Sequence, residues 1–337
     1  MESVQAAMTA RSTLKSWAEG LELIELVRAT HRAGWLAHLR GETTVTELAA
    51  AHGVPPEHVS GVMAVLVSAG VVRSGDRTAS FRLSPDFDAL VAGASGVEMA
   101  DVLDAVELAR VQVAQAVRTV DQKPGFDGRE ALVLAREWGL RPTPGAQQLL
   151  GMLYESLPEF RARLESGGPL LDVGTGIGGA LLTGLTLFDK LHAVGVELVA
   201  DVAAECRRRA EAAGVGDRVD IRTMDARALS DESAFSACFW AQPFFPQDVR
   251  ADTLATIFRA LRPDGLLLVQ ELFPPQSGQD EPTARTQLDR LFFTQRQIPF
   301  GLSAEELAAE GRAAGFQDAR ITDSPLGRLV VLRKPDC

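Results

Sequence analysis

The chain has 337 residues, enough for two domains of ordinary size and for a core that needs neither disulfides nor a structural metal. Hydrophobic residues make up 46% and charged residues 23%, which excludes wholesale disorder. Acids number 45 against 34 Lys and Arg, a formal charge of −11, which is a poor basis for gripping a phosphate backbone.

The three cysteines, Cys206, Cys238 and Cys337, show no paired spacing and none lies near a histidine in sequence. That argues against a disulfide framework or a Cys/His metal site, so no metal is expected, and it suits a reducing cytoplasm. Met1 to Trp17 has no signal-peptide pattern, and no run reaches the roughly 18 apolar residues of a spanning helix. A cytoplasmic protein that does not enter the membrane is expected.

In chain order, the first forty residues read as helices, with Leu21, Ile24 and Val27 on a helical spacing. Thr43 to Val54 reads as a short helix stopped at Gly53, and Pro55-Pro56 opens a second helix that runs to Ala69-Gly70. Val71 to Arg73, a turn at Ser74-Gly75-Asp76, and Ser80 to Leu83 form a two-stranded wing. The order is that of a winged helix. Its second helix, Glu57 to Gly70, carries no Arg or Lys, whereas phosphate and base contacts draw heavily on those residues. Packing against protein, as a dimerisation or lid element, is the favoured reading over nucleic-acid binding.

Residues 96–165 read as connecting helices, broken around Lys123-Pro124-Gly125 and Arg141 to Gly145. From residue 166 strand and helix signals alternate, which predicts a doubly wound parallel sheet. The domains are therefore expected at 1–95, 96–165 and 166–337. Leu170-Leu171-Asp172-Val173 is a buried strand feeding Gly174-Thr175-Gly176-Ile177-Gly178-Gly179. His192 to Val196 is a second strand ending on Glu197, and Val219 to Thr223 a third reaching Asp225. The glycine spacing also satisfies the dinucleotide pattern, with Glu197 as its ribose acid, so a nicotinamide enzyme is a rival. Asp172 weighs against it, because a carboxylate there meets a cationic ligand end favourably and a pyrophosphate unfavourably.

Leu170 to Gly179, together with Arg259-Ala260-Leu261-Arg262-Pro263-Asp264-Gly265 leading into a strand that finishes at Glu271, resembles class I S-adenosylmethionine-dependent methyltransferases. With the winged helix in front, nearly the whole chain resembles the small-molecule methyltransferases typified by plant O-methyltransferases and their bacterial natural-product relatives. The resemblance implies an α/β fold: a Rossmann-like seven-stranded domain, closed by an antiparallel pair of strands, behind a helical and winged-helix dimerisation domain. It implies a homodimer, S-adenosyl-L-methionine as cofactor, and a small-molecule acceptor in secondary metabolism. It assigns Gly174, Gly176 and Gly178 to close backbone approach and Asp172 to the methionine end. Glu197 falls to the ribose hydroxyls, Asp225 to the adenine amino group, and Met224 and Ala226 to the lining of the ring.

One departure is plain. The plant enzymes use a late histidine as base, yet the histidines here are His31, His38, His52, His58 and His192. Glu271 is the candidate replacement, with capping a loop or pairing to Arg296 as its alternatives, and Gln242 is a candidate orienting group. Gln242-Pro243-Phe244-Phe245 only partly matches the acceptor-loop motif of amino-group methyltransferases. Trp240, beside the cofactor, with Phe244, Phe245, Phe292 and Phe293 are candidates for an aromatic pocket. Arg296 is a candidate carboxylate anchor, and Tyr154 a cover for the methionine end. The acceptor atom stays open between oxygen, nitrogen and carbon. A non-methylating reaction on the same fold, or a regulator sensing the cofactor, remains an alternative.

Overall fold

The computed structural model describes residues 2–94, 96–117, 124–273 and 282–336. Lys123, at one expected break, and Cys337 lie outside them. The chain divides by its contacts into two units, one ending at Ala94 and the other beginning at Ser95, so the helices expected as a separate connecting layer pack within the second unit.

In the first unit α1 (Glu2–Arg32) is a single 31-residue helix that buries only Val27, Arg28 and Thr30. It is followed by α2 (Trp35–His38), β1 (Thr43–Thr44), α3 (Val45–His52), α4 (Pro56–Ser68), β2 (Val72–Ser74), β3 (Ser80–Leu83) and α5 (Pro85–Val91). α3 starts where Thr44 and Glu47 form a reciprocal capping box, and it ends on Gly53 in the left-handed region at φ 65°. Pro56 occupies the first turn of α4, where a missing N–H costs nothing. Val59, Met63 and Leu66 of α4 are fully buried beside Leu36, Leu39 and Leu48. β3 sits between β1 and β2, antiparallel to both.

The second unit begins with four helices: α6 (Met99–Gln115), α7 (Gly128–Trp138), α8 (Pro144–Glu155) and α9 (Pro158–Glu165). Then come β4 (Leu170–Val173), α10 (Gly179–Leu187), β5 (Ala193–Glu197), α11 (Ala200–Ala212), β6 (Val219–Thr223), β7 (Phe235–Trp240), α12 (Arg250–Ala260) and β8 (Leu261–Gln270). The chain closes with α13 (Ala284–Thr294), α14 (Ala304–Ala313), β9 (Gln317–Thr322) and β10 (Leu329–Arg333). The seven strands lie in the order β6-β5-β4-β7-β8-β10-β9, with β10 antiparallel to both neighbours and the remaining pairings parallel. Between Phe235↔Leu261 and Ala237↔Leu266 the β7–β8 register slips, and the intervening Asp264 sits at φ 61°. The turn read between a helix end and a strand is thus a bulge within β8.

β4 is buried along its whole length, as a central parallel strand covered on both faces must be. Its alternating side chains feed two cores: Leu170 belongs to one, and Leu171 and Val173 to the other. The strand order reverses about β4, with β5 added on one side and β7 on the other, so a crevice opens beyond the carboxyl end of β4.

Candidate active site

The crevice is a cavity of ≈ 760 Å³, well within the range of about 300–1,000 Å³ seen for ligand pockets. Gly174, Thr175, Gly176 and Gly179 form its floor at the start of α10, and Glu197, Met224, Asp225 and Ala226 line one side. Gly176 is at φ 56° with open space where a Cβ would point, so the backbone itself faces the cavity. Gly178 does not line it. A Cβ there would meet Cys206 Sγ at 2.8 Å, so this glycine serves the turn and the packing of α10 on α11 rather than a ligand.

Asp172 is 3% exposed. Its Oδ2 accepts a hydrogen bond from Thr175 Oγ1 at 3.0 Å, while Oδ1 is buried without a partner. Burial pushes its carboxyl up to about 7, against the pull of Thr175 and with a smaller push from Glu197. Glu197 accepts from the backbone N–H groups of Gly176 at 3.0 Å and Val199 at 2.9 Å. Desolvation nonetheless raises its pKa. Asp225 is held below the usual carboxylate range by Arg227, whose guanidinium reaches Oδ2 at 2.7 Å and which also lines the cavity. Asp172, Glu197 and Asp225 therefore share one crevice, and the most buried of them has no cation.

This donor set fits S-adenosylmethionine. The orphaned Asp172 oxygen suits the cationic methionine end, and Glu197 keeps lone pairs for two hydroxyls. Asp225 has acceptor capacity beyond its bonds to Arg227.

The opposite wall is aromatic. Trp240, Phe244 and Phe245 line the cavity, joined by Phe126 and Trp138, which sequence reasoning missed. Trp138 meets Phe244 at 6.1 Å between ring centroids, and Phe126 meets Phe244 at 6.4 Å. Trp138 ends α7 four residues after Leu134, another lining residue, a helical spacing that was readable. Phe292 and Phe293 do not line the cavity. They stand behind it, Phe292 against Phe126 at 5.8 Å and Phe293 against Phe273 at 5.3 Å. Tyr154 is buried, lines the cavity, and has its pKa raised by burial and by Asp172.

The proposed catalytic pair is corrected by geometry. Both oxygens of Glu271 are committed: Arg328 binds Oε1 at 2.7 Å and Oε2 at 2.8 Å, and the Ala304 N–H at the start of α14 donates to Oε1 at 2.9 Å. Arg328 holds its pKa down, and the residue does not line the cavity. An acid so held is a structural clamp and cannot serve as base. Nor does it pair with Arg296, which binds Glu130 at 2.9 Å and lies over Phe292 at 4.2 Å. At 8% exposure and so engaged, Arg296 is no free anchor for a substrate carboxylate. Gln242 donates to the Gln270 carbonyl at 3.1 Å and accepts from Arg250 at 3.0 Å, outside the cavity. Arg250 in turn lies over Trp240 at 4.8 Å and binds Glu310 at 2.6 Å, so Gln242 buttresses the aromatic wall instead of facing an acceptor. His192 is exposed at the edge of β5 opposite the crevice.

Residues 170–265 match the methyltransferase-domain family. Solved structures give the same fold along nearly the full length. The mitomycin 7-O-methyltransferase shares 19% identity, with 98% of this chain and 99% of that chain covered at a TM-score of 0.69. Human N-acetylserotonin methyltransferase in complex with S-adenosylmethionine shares 15%, with 97% and 98% covered at 0.70. A methyltransferase of calicheamicin biosynthesis, bound to S-adenosylhomocysteine, shares 21%, with 97% and 98% covered at 0.64. No curated protein matches the sequence.

Proposed function

We propose that the protein transfers a methyl group from S-adenosylmethionine to an apolar small-molecule acceptor, as an O-methyltransferase of specialised metabolism. The observation that carries this is one cavity joining Asp172, with its unpaired oxygen, to an aromatic wall. Bound S-adenosylmethionine supplies a methyl group activated on a sulfonium. Asp172 and the Gly174–Gly176 backbone hold the methionine end, Glu197 the ribose hydroxyls and Asp225 the adenine amino group, with Met224 and Ala226 against the ring.

The side chains that titrate and line the cavity, among the described residues, are Asp172, Glu197, Asp225, Arg227, Asp248 and Tyr154. The first three are given to the cofactor, Arg227 is tied to Asp225, and Asp248 is exposed at the mouth. Tyr154 holds its proton tightly because it is buried beside Asp172. The acceptor therefore arrives already nucleophilic, as an acidic phenol or enol whose proton has gone to solvent. The protein then contributes orientation and water exclusion, for which Phe126, Trp138, Trp240, Phe244 and Phe245 provide the surface.

The face of α1 supports a homodimer as the assembly. Ala7, Ala10, Leu14, Trp17, Leu21 and Ile24 recur at three- and four-residue steps, and Trp17 is 69% exposed. A second copy of the chain is the partner such a seam fits. In light scattering, Leu14→Glu with Trp17→Glu yields monomer; an unchanged mass removes α1 from the interface.

The test of the activity is calorimetric titration with S-adenosylmethionine, S-adenosylhomocysteine and NAD, followed by acceptor screening for a methyl mass increment. Binding of both sulfur ligands and a methylated product support the reading. Binding of NAD alone overturns it.

A further inference from the structure

The cavity continues past the residues given to the cofactor. Leu150, Leu153, Phe160, Leu170, Leu268 and Leu329 also line it. Each is at most 5% exposed, and all belong to one core cluster, where α8 and α9 cover the sheet. Strand alternation puts Asp172 on the same face as Leu170, and Gln270 on the same face as Leu268. Asp172, Tyr154 and Gln270 thus form a polar rim, with Gln270 Nε2 donating to the Leu326 carbonyl at 2.6 Å. The six residues beyond the rim are hydrocarbon throughout.

Protein interiors rarely keep voids larger than a water molecule, and an apolar void costs stability in proportion to its volume. Water does not settle in such a space for want of polar partners. The cofactor does not belong there either, because its charged and hydroxylated groups would be buried unpaired. Resting on the methyl-transfer reading, we infer that the slot between α8–α9 and the sheet receives an uncharged apolar arm of the acceptor, alkyl or unsubstituted aryl. The nucleophilic end of the acceptor stays at the Asp172–Tyr154 rim beside the methyl donor. The slot sets acceptor length, and the aromatic wall sets acceptor flatness.

The probe is a series of 4-n-alkylphenols, from ethyl to octyl, titrated into the full-length protein saturated with S-adenosylhomocysteine. Affinity rises about fourfold per methylene and levels off where the slot is filled. Leu149→Trp on α8 and Leu326→Trp before β10, both half-buried lining positions on separate elements, bring the plateau to shorter chains. S-adenosylhomocysteine affinity is measured on every variant. Loss of that binding in the unaltered protein overturns the cofactor reading itself. Binding intact with a flat alkyl series overturns only the slot, as does a plateau that neither tryptophan moves in variants that still bind S-adenosylhomocysteine. Should both variants fail to bind it, the unaltered protein's alkyl series decides.

Discussion

Two carboxylates sit at the carboxyl ends of central strands, Asp172 on β4 and Glu271 just after β8, and each is 3% exposed. Their surroundings are opposite. Glu271 faces the Arg328 fork and a helix N-terminus, and its charge is satisfied on every side. Asp172 has one hydroxyl partner and one orphaned oxygen, and burial drives its carboxyl toward the neutral form. A buried acid already paired inside the chain is a structural part, whereas one that lacks a cation is held ready for a ligand that brings it. The β4 end of the sheet is built for binding, and the β8 end for holding together the C-terminal hairpin and α14.

The largest contrast is expected from Asp172→Ala, which weakens S-adenosylhomocysteine binding by about a hundredfold or more in calorimetry while circular dichroism stays native. Glu271→Gln leaves that affinity in place.

Asp172 also gives the comparison a pH dependence. Its folded pKa, about 7, exceeds the ordinary value of 3.8, so the folded state holds the proton more tightly. Stability of the ligand-free protein therefore falls as pH rises between those values, by up to about 4 kcal/mol. Asp172→Asn flattens that slope and is more stable than the parent above pH 7, in urea melts at matched pH. Equal slopes would mean that Asp172 is solvated.

Glu271→Gln removes the charge that Arg328 grips while leaving an amide oxygen for the Ala304 N–H, at a cost of about 2 kcal/mol. Its pKa is lowered, so the parent's advantage is present above the ordinary carboxylate range and disappears as acid protonates Glu271. Gln242→Ala uncovers Arg250 and is expected to cost about 2 kcal/mol, read as a lower urea midpoint, with cofactor affinity retained. The smallest effect is that of Thr175→Val, about 1 kcal/mol. It removes the hydroxyl from Asp172 and moves the pH slope to higher pH.

The fold is legible in the sequence where the signals are local. Leu170 to Gly179, Glu197 and Asp225 read correctly as strand ends around a glycine loop, because burial and turn chemistry act over a few residues. The catalytic assignments failed where long-range pairing decides. Arg328 lies 57 residues beyond Glu271, and Glu130 lies 166 residues before Arg296. Position at a strand end shows that an acid can reach the crevice, but gives no sign of whether a distant guanidinium has already claimed it. The aromatic wall was half visible for the same reason: Trp240, Phe244 and Phe245 adjoin a strand end, whereas Phe126 and Trp138 come from a helical stretch more than a hundred residues earlier.

That split origin of the cavity has a consequence for how such a protein changes over evolutionary time. The lining residues proposed to face the cofactor lie at the ends of β4, β5 and β6, while Phe126, Leu134, Trp138, Leu149, Leu150 and Leu153 come from one continuous stretch ahead of the sheet. Under the proposed reading, exchange of that stretch by recombination alters part of the acceptor side, while the strand ends bearing Asp172, Glu197 and Asp225 are inherited unchanged.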